Sequence, residues 1–264
     1  MKVLVTVKEV TAVDDEFEID GLDIDDRYVT ADLNEWDEYA VEEAVQLSES
    51  LDDVEVVTVT IGPSDSEETI RQALAKGADR AIRVWDDALD DDAMLDPATK
   101  ARLLAAVAEQ EGPDLILTGV QSADDSLGAT GVTLADQLGT EWAAVVNALD
   151  LDAEAGVAHV HRELEGGVEE LTEIDLPAVL TIQTGINEPR YASLRGIRQA
   201  QSKEIAPKTL SDLGLDHAAV ESELFLTDMY EPETESDATY FDGDADEQAA
   251  KLASALREKG VGAE

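Results

Sequence analysis

Apolar positions in the first two-thirds of the chain come in short runs, separated by stretches whose apolar residues recur at helical spacing. Residues 2–7 are a near-continuous apolar run and read as a buried strand. Residues 9–33 are acidic without a clear period and read as irregular. From Glu35 to Ser50, the positions Trp36, Tyr39, Ala40, Ala44 and Leu47 fall on one helical face. Val54–Ile61 reads as a second strand, ended by Gly62-Pro63. Ser64 or Asp65 then stands where a helix cap belongs, with Glu67 or Glu68 three residues on to complete a capping box. That helix carries Ile70, Ala73 and Leu74 on one side and closes at Gly77. Ala81–Trp85 is a third strand, followed by an acidic loop and a helix from Pro97 to about Glu111 that buries Leu103, Leu104 and Val107. Asp114–Thr118 is a fourth strand running into Gly119, with a loop over Gln121–Gly131 and a helix starting near Ala129. Such alternation predicts a parallel sheet with helices on both faces.

Beyond Thr140 the pattern changes to extended segments: Ala143–Leu149, Val157–Glu163, Val168–Ile174 and Ala178–Gln183. Gly166-Gly167 between the middle two is a hairpin signal, so the sheet should gain an antiparallel extension. After Pro189 the rhythm is lost. Residues 205–246 show no core element, and Tyr230–Asp246 is polar and acidic. Asp244–Gly260 is an amphipathic helix with Ala249, Leu252, Ala253 and Leu256 on one side. The expected class is therefore α/β: a doubly wound, mostly parallel sheet with an antiparallel extension and a C-terminal arm. The expected organisation is a core domain over 1–185, a distinct segment over 186–204, and an arm over 205–264 that lies on a partner.

Charge then narrows the function classes. The chain has 62 acidic and 18 basic residues, a formal net charge of −44. The acids are spread between well-patterned elements rather than gathered in a disordered tail. Self-repulsion on this scale opposes a compact state in dilute salt, whereas at molar salt the screening length is about 3 Å. The surface reads as halophilic. With no basic stripe to displace phosphate counterions, nucleic-acid binding is excluded. No apolar run reaches the roughly 20 residues of a membrane span, and the N-terminus has no signal-peptide pattern, so a cytoplasmic protein without membrane insertion is expected. Cysteine is absent and histidine is limited to His159, His161 and His217, which argues against a metal site.

Ligands of open α/β sheets sit at the carboxyl ends of the strands, beside helix N-termini that favour anions. Four segments meet that condition: Thr6–Glu9, Asn34–Asp37, Ile61–Pro63 and Gly119–Gly131. The last has three glycines and small polar residues, but lacks both the Gly-Lys-Ser/Thr of a P-loop and the dinucleotide fingerprint. By itself it reads equally as a connection or as a phosphate cradle. A second unusual segment is Asn187-Glu-Pro-Arg-Tyr-Ala-Ser-Leu-Arg-Gly-Ile197, where Leu194 is flanked by Arg190 and Arg195. It is either a surface turn with a leucine tucked under it or a docking loop with an apolar anchor and basic neighbours.

Asn187–Leu194 closely resembles the partner-recognition loop of electron-transfer flavoprotein β subunits. The resemblance spans about residues 1–215. It includes Lys2-Val-Leu-Val-Thr-Val-Lys8, Ala40-Val-Glu-Glu-Ala-Val45, Glu68–Arg80, Gly119–Gly131 and the hairpin Arg162–Glu169 leading to Leu176–Thr181. It implies a Rossmann-like adenine-nucleotide-binding fold without bond chemistry of its own, paired with an α subunit that holds most of an FAD site. It also implies electron transfer from dehydrogenases to a membrane quinone reductase, and an AMP buried in the β subunit. By position, that AMP site falls on Thr6, Asn34, Glu35, Trp36, Asp37, Ile61, Asp124, Asp125, Ser126, Leu127, Gly128, Ala129, Thr130, Gly131, Thr133 and Ala135. Trp36 stands where the family often has an aromatic near the flavin; core packing is the equal alternative. Docking falls on Asn187, Glu188, Pro189, Arg190, Tyr191 and Leu194.

The chain departs from the family pattern in places. Glu35 and Asp37 replace a Pro and a Cys, bringing carboxylates that would repel a phosphate unless they point away or pair with cations. Asp125 and Thr130 differ from bifurcating members, which bind a second FAD in place of AMP, and so lean towards AMP. The hairpin has one extra residue between Glu169 and Pro177, and Gln199-Ala-Gln-Ser202 replaces a lysine-rich run. A bifurcating complex is one alternative; a universal-stress-type nucleotide-binding protein is another.

Overall fold

A computed structural model describes residues 1–89, 94–232 and 238–261. Parts of the acidic loop after Trp85 and of the acidic stretch after Tyr230 lie outside those residues. The elements run β1 (Lys2–Thr6), β2 (Glu9–Val13), β3 (Ile19–Asp20), β4 (Asp23–Ile24), β5 (Val29–Leu33), α1 (Glu35–Ser50), β6 (Glu55–Ile61), α2 (Glu67–Lys76) and β7 (Arg80–Val84). They continue α3 (Pro97–Glu111), β8 (Leu115–Gly119), α4 (Thr130–Leu138), β9 (Glu141–Asp152), β10 (Val157–Leu164), β11 (Val168–Asp175), β12 (Ala178–Ile182), α5 (Leu194–Ala200), β13 (Ile205–Lys208) and α6 (Ala245–Glu258). The chain divides into two compact units, Met1–Met229 and Tyr230–Glu264.

In the first unit nine strands form one sheet in the order β11-β10-β9-β12-β8-β1-β6-β7-β13. From β9 to β13 the pairs are parallel, and β10 and β11 add the antiparallel extension. The apolar run at the N-terminus is explained by its central place: Val3 and Val5 face the core under α1 and α2, while Leu4 faces the core under α3 and α4. A strand covered on both faces has no polar side to show. α3 starts where local chemistry says it should, with the Asp96 carboxylate accepting from Thr99 N at 2.7 Å and Pro97 at the first turn.

Three sequence expectations are corrected. Residues 9–33 contain strands: β2 pairs with β5 and β3 with β4, both antiparallel. Their edges are exposed and acidic, so no apolar period marks them. The capping box before α2 does not form: Ser64–Ser66 is a short 3-10 turn, and Ser66 at the cap makes no side-chain capping bond. The carboxylate that meets this terminus is Glu9, which accepts from Ser66 Oγ at 3.0 Å and Thr69 Oγ1 at 2.5 Å. Finally, residues 205–246 are not without a core element. β13 pairs in parallel with β7, and Leu210, Leu213 and Val220 are buried against the α3 side of the sheet. In the second unit α6 is helical as expected, and none of its residues is buried.

Candidate functional site

The carboxyl ends of β1, β6 and β8 open into a cavity of about 910 Å³, within the range of roughly 300–1,000 Å³ typical of small-molecule sites. Nine of the residues expected at a nucleotide site line it: Thr6, Asn34, Asp37, Ile61, Asp124, Asp125, Gly128, Ala129 and Thr130. Glu35, Trp36, Ser126, Leu127, Gly131, Thr133 and Ala135 do not line it. Glu35 is exposed at the helix start and Leu127 points outward, while Ala135 is buried in the core. Gly131 acts from behind: a Cβ there would come 2.5 Å from Thr118 Oγ1 and 2.6 Å from Thr181 Cγ2. Its absence lets the first turn of α4 sit tight on β8 and β12, with its amides at the cavity rim.

Asn34 occupies the cap position of α1 yet makes no capping bond. Its amide instead bridges to the loop, donating to Gln121 O at 2.9 Å and accepting from Ala123 N at 3.2 Å. Asp37 accepts from Lys8 N at 2.8 Å and Gly119 N at 3.0 Å, tying the ends of β1 and β8 together. Burial pushes its carboxyl up to about 7, against the pull of those amide donors and Asn34. Gly119 is required by this contact, since a Cβ there would lie 2.5 Å from Asp37 Oδ1 and 2.7 Å from Trp36 Cβ. Thus neither replacement carboxylate stands free in the cavity: Asp37 is bonded to backbone and Glu35 faces out.

Lys8, within the Thr6–Glu9 segment, has its Nζ 2.5 Å from Asp124 Oδ1 and 3.0 Å from Asp125 Oδ2. Other lining residues come from places that strand-end reasoning passes over: Lys100 Nζ on α3 lies 2.5 Å from Asp125 Oδ2. Burial would raise the Asp125 carboxyl, but Lys100, Lys8 and Ser122 hold it well below the usual range. Leu22, Met94, Leu95, Leu226 and Met229 add an apolar wall. Lys100 left one signal in the sequence, being a rare lysine one turn before the buried Leu104.

Trp36 is half-buried, donating from Nε1 to Gln183 Oε1 at 3.2 Å. Gln183 lines a second, more polar cavity of about 510 Å³ with Asn147, Glu163 and Thr184. The Asn187–Leu194 segment is bolted to α1. Arg190 donates to both oxygens of Glu42 (2.8 and 3.0 Å) and both of Glu49 (2.7 and 3.0 Å), and Asn187 Nδ2 donates to Glu43 Oε2 at 2.9 Å. Lys76 Nζ donates to Arg190 O at 2.9 Å. Of the two basic neighbours expected for Leu194, Arg190 is paired with Glu42 and Glu49 of α1, and Arg195 is left exposed. Leu194 is not tucked under the turn but 77% exposed at the start of α5, beside Tyr191 at 98%.

A family model for the electron transfer flavoprotein domain matches residues 21–213. The chain is 47% identical to the electron transfer flavoprotein subunit beta of Methylophilus methylotrophus, over 98% of each chain. The chain belongs to the electron transfer flavoprotein β-subunit family. The Bradyrhizobium diazoefficiens subunit beta is 41% identical over 83% of this chain and 86% of its own. A mitochondrial subunit beta of Arabidopsis thaliana is 38% identical over 88% and 90% respectively. Membership sets aside the stress-protein alternative and carries electron transport, a flavoprotein complex and a partner α subunit with it. Among the described residues, no helix of this family member is long and apolar enough to cross a membrane.

Proposed function

We propose that the chain is the β half of a heterodimeric electron carrier. FAD, held mainly by the α subunit, takes electrons from dehydrogenases and passes them to a membrane quinone reductase, with the complex working in the cytoplasm. Bound FAD supplies the redox chemistry; this chain does no bond chemistry and acts as scaffold and docking partner. Of its arm after 204, β13 and Leu210, Leu213 and Val220 pack on this chain's own sheet, and the remainder lies on the α subunit. In this reading the cavity at the strand ends holds AMP.

The observation that carries the nucleotide reading is the cavity itself. Its lining combines the α4 N-terminus, two lysines and residues of the Gly119–Gly131 loop with the apolar Leu22, Met94, Leu95, Leu226 and Met229. That donor set fits a phosphate at one end and an adenine at the other. Releasing and identifying the small ligands of the purified heterodimer tests it. One flavin and one AMP per complex are expected; two flavins would replace AMP with a second FAD and make the complex bifurcating.

Docking is assigned to the segment Asn187, Glu188, Pro189, Arg190, Tyr191 and Leu194, which Asn187 and Arg190 hold against α1 and from which Tyr191 and Leu194 stand exposed. Leu194→Ala should slow reduction of the complex by its dehydrogenase at least about tenfold, as loss of an interface anchor does, while flavin content stays unchanged. Wild-type transfer rates in that variant would remove the docking role.

A further inference from the structure

Lys100 stands apart from the strand-end loops that frame the cavity. It reaches in from the first turns of α3, where a lysine gains nothing from the helix dipole. Its side chain is only 16% exposed, and its Nζ is 2.5 Å from Asp125 Oδ2. Asp125, 11% exposed, also receives Lys8 Nζ at 3.0 Å. Its other oxygen accepts from Ser122 Oγ at 2.8 Å and Leu127 N at 3.1 Å. Lys8 is shared further, with Asp124 at 2.5 Å and Ser122 Oγ at 3.0 Å. Two ammonium groups are thus balanced by two carboxylates of the cavity's own loop. Carboxylate and phosphate oxygens seek the same donors on an ammonium. An entering phosphate therefore meets a cluster already neutral, and gains only what it takes from an aspartate.

Resting on the nucleotide reading above, we propose that Lys100 is a phosphate-recognising cation of this cavity and that Asp125 is its internal competitor. Lys8 is divided among three partners, whereas Lys100 turns from one carboxylate to the ligand. The loop's aspartates keep the lysines ordered and solvent-shielded without a ligand and lower the affinity for one.

Titrating the full chain with AMP and with adenosine at fixed ionic strength separates the parts. Lys100→Gln should weaken AMP binding about 10- to 100-fold, the range for one charge-assisted hydrogen bond, and leave adenosine binding unchanged. Lys100→Arg should keep AMP affinity near wild type, which distinguishes lost charge from lost fold. Asp125→Asn should tighten AMP on the order of tenfold by removing a competing charge. An unaltered AMP-to-adenosine ratio in Lys100→Gln would overturn the role of Lys100, as would an Arg variant as weak as the Gln one. Weaker AMP binding by Asp125→Asn would overturn the competition. A wild-type chain that takes up neither ligand would sink the nucleotide reading and this one with it, whereas adenosine binding with an unchanged ratio sinks only this one.

Discussion

Asp37 shows how a single position acquires a role that its neighbours in sequence do not announce. It sits in the first turn of α1, where an acid suits the helix dipole. The fold then buries it between two backbone amides that join β1 to β8. Its carboxyl is raised to about 7 by burial, above the ordinary value of about 3.9. Between those values the native chain holds a proton that the unfolded chain has lost. This group's contribution to stability is therefore complete below about pH 4 and falls as pH rises towards 7. Asp37→Asn should remove that slope and, by leaving one buried amide without an acceptor, cost about 1–3 kcal/mol at pH 5. Urea unfolding of both proteins at pH 5 and pH 8 checks this; parallel pH dependence in the two would exclude a raised Asp37. Asn34 teaches the same lesson. An asparagine at a helix start reads as a cap, yet its amide holds the Gln121–Ala123 backbone instead.

At the scale of elements, what periodicity reveals is a face, and faces are what most of this fold is made from. α1 was legible because Tyr39, Ala40, Ala44 and Leu47 share a side, and α3 because Pro97 and the Leu103, Leu104, Val107 stripe mark its start and its core face. The β10–β11 hairpin was legible from two glycines, both of which adopt positive φ. β13 was not: four residues containing a proline at the sheet edge show no alternation, and only pairing with β7 makes them a strand. The seat of α4 is equally a matter of contact. Gly131→Ala would force its helix off Thr118 and Thr181, for which about 1–3 kcal/mol of lost stability is expected from overpacking. The denaturant midpoint should fall with an unchanged slope, together with nucleotide retention. An unshifted midpoint would mean that β8 and α4 separate freely.

For the whole molecule, the net charge of −44 acts on every element at once. Many carboxylates have no cation to face, because 18 basic residues cannot neutralise 62 acids. Raising KCl from about 0.1 M to about 1 M shortens the screening length from about 10 Å to about 3 Å. The thermal midpoint of the chain should climb steadily over that range, and a flat profile would count against a salt-adapted surface. By itself, the sequence determined the α/β class, the position of most helices and strands, and the resemblance to the family that the comparisons then bore out. Each of these is written in local order: runs, periods, turn residues and ordered motifs. Tertiary structure alone decided which of the expected residues share a cavity. It also placed Lys100, Leu226 and Met229 on the cavity wall, drew Glu9 to the start of α2, and turned Arg190 inward while leaving Leu194 out. These depend on pairings between residues tens to more than a hundred positions apart, and no local pattern of apolar and polar residues records which distant partner a charge will meet.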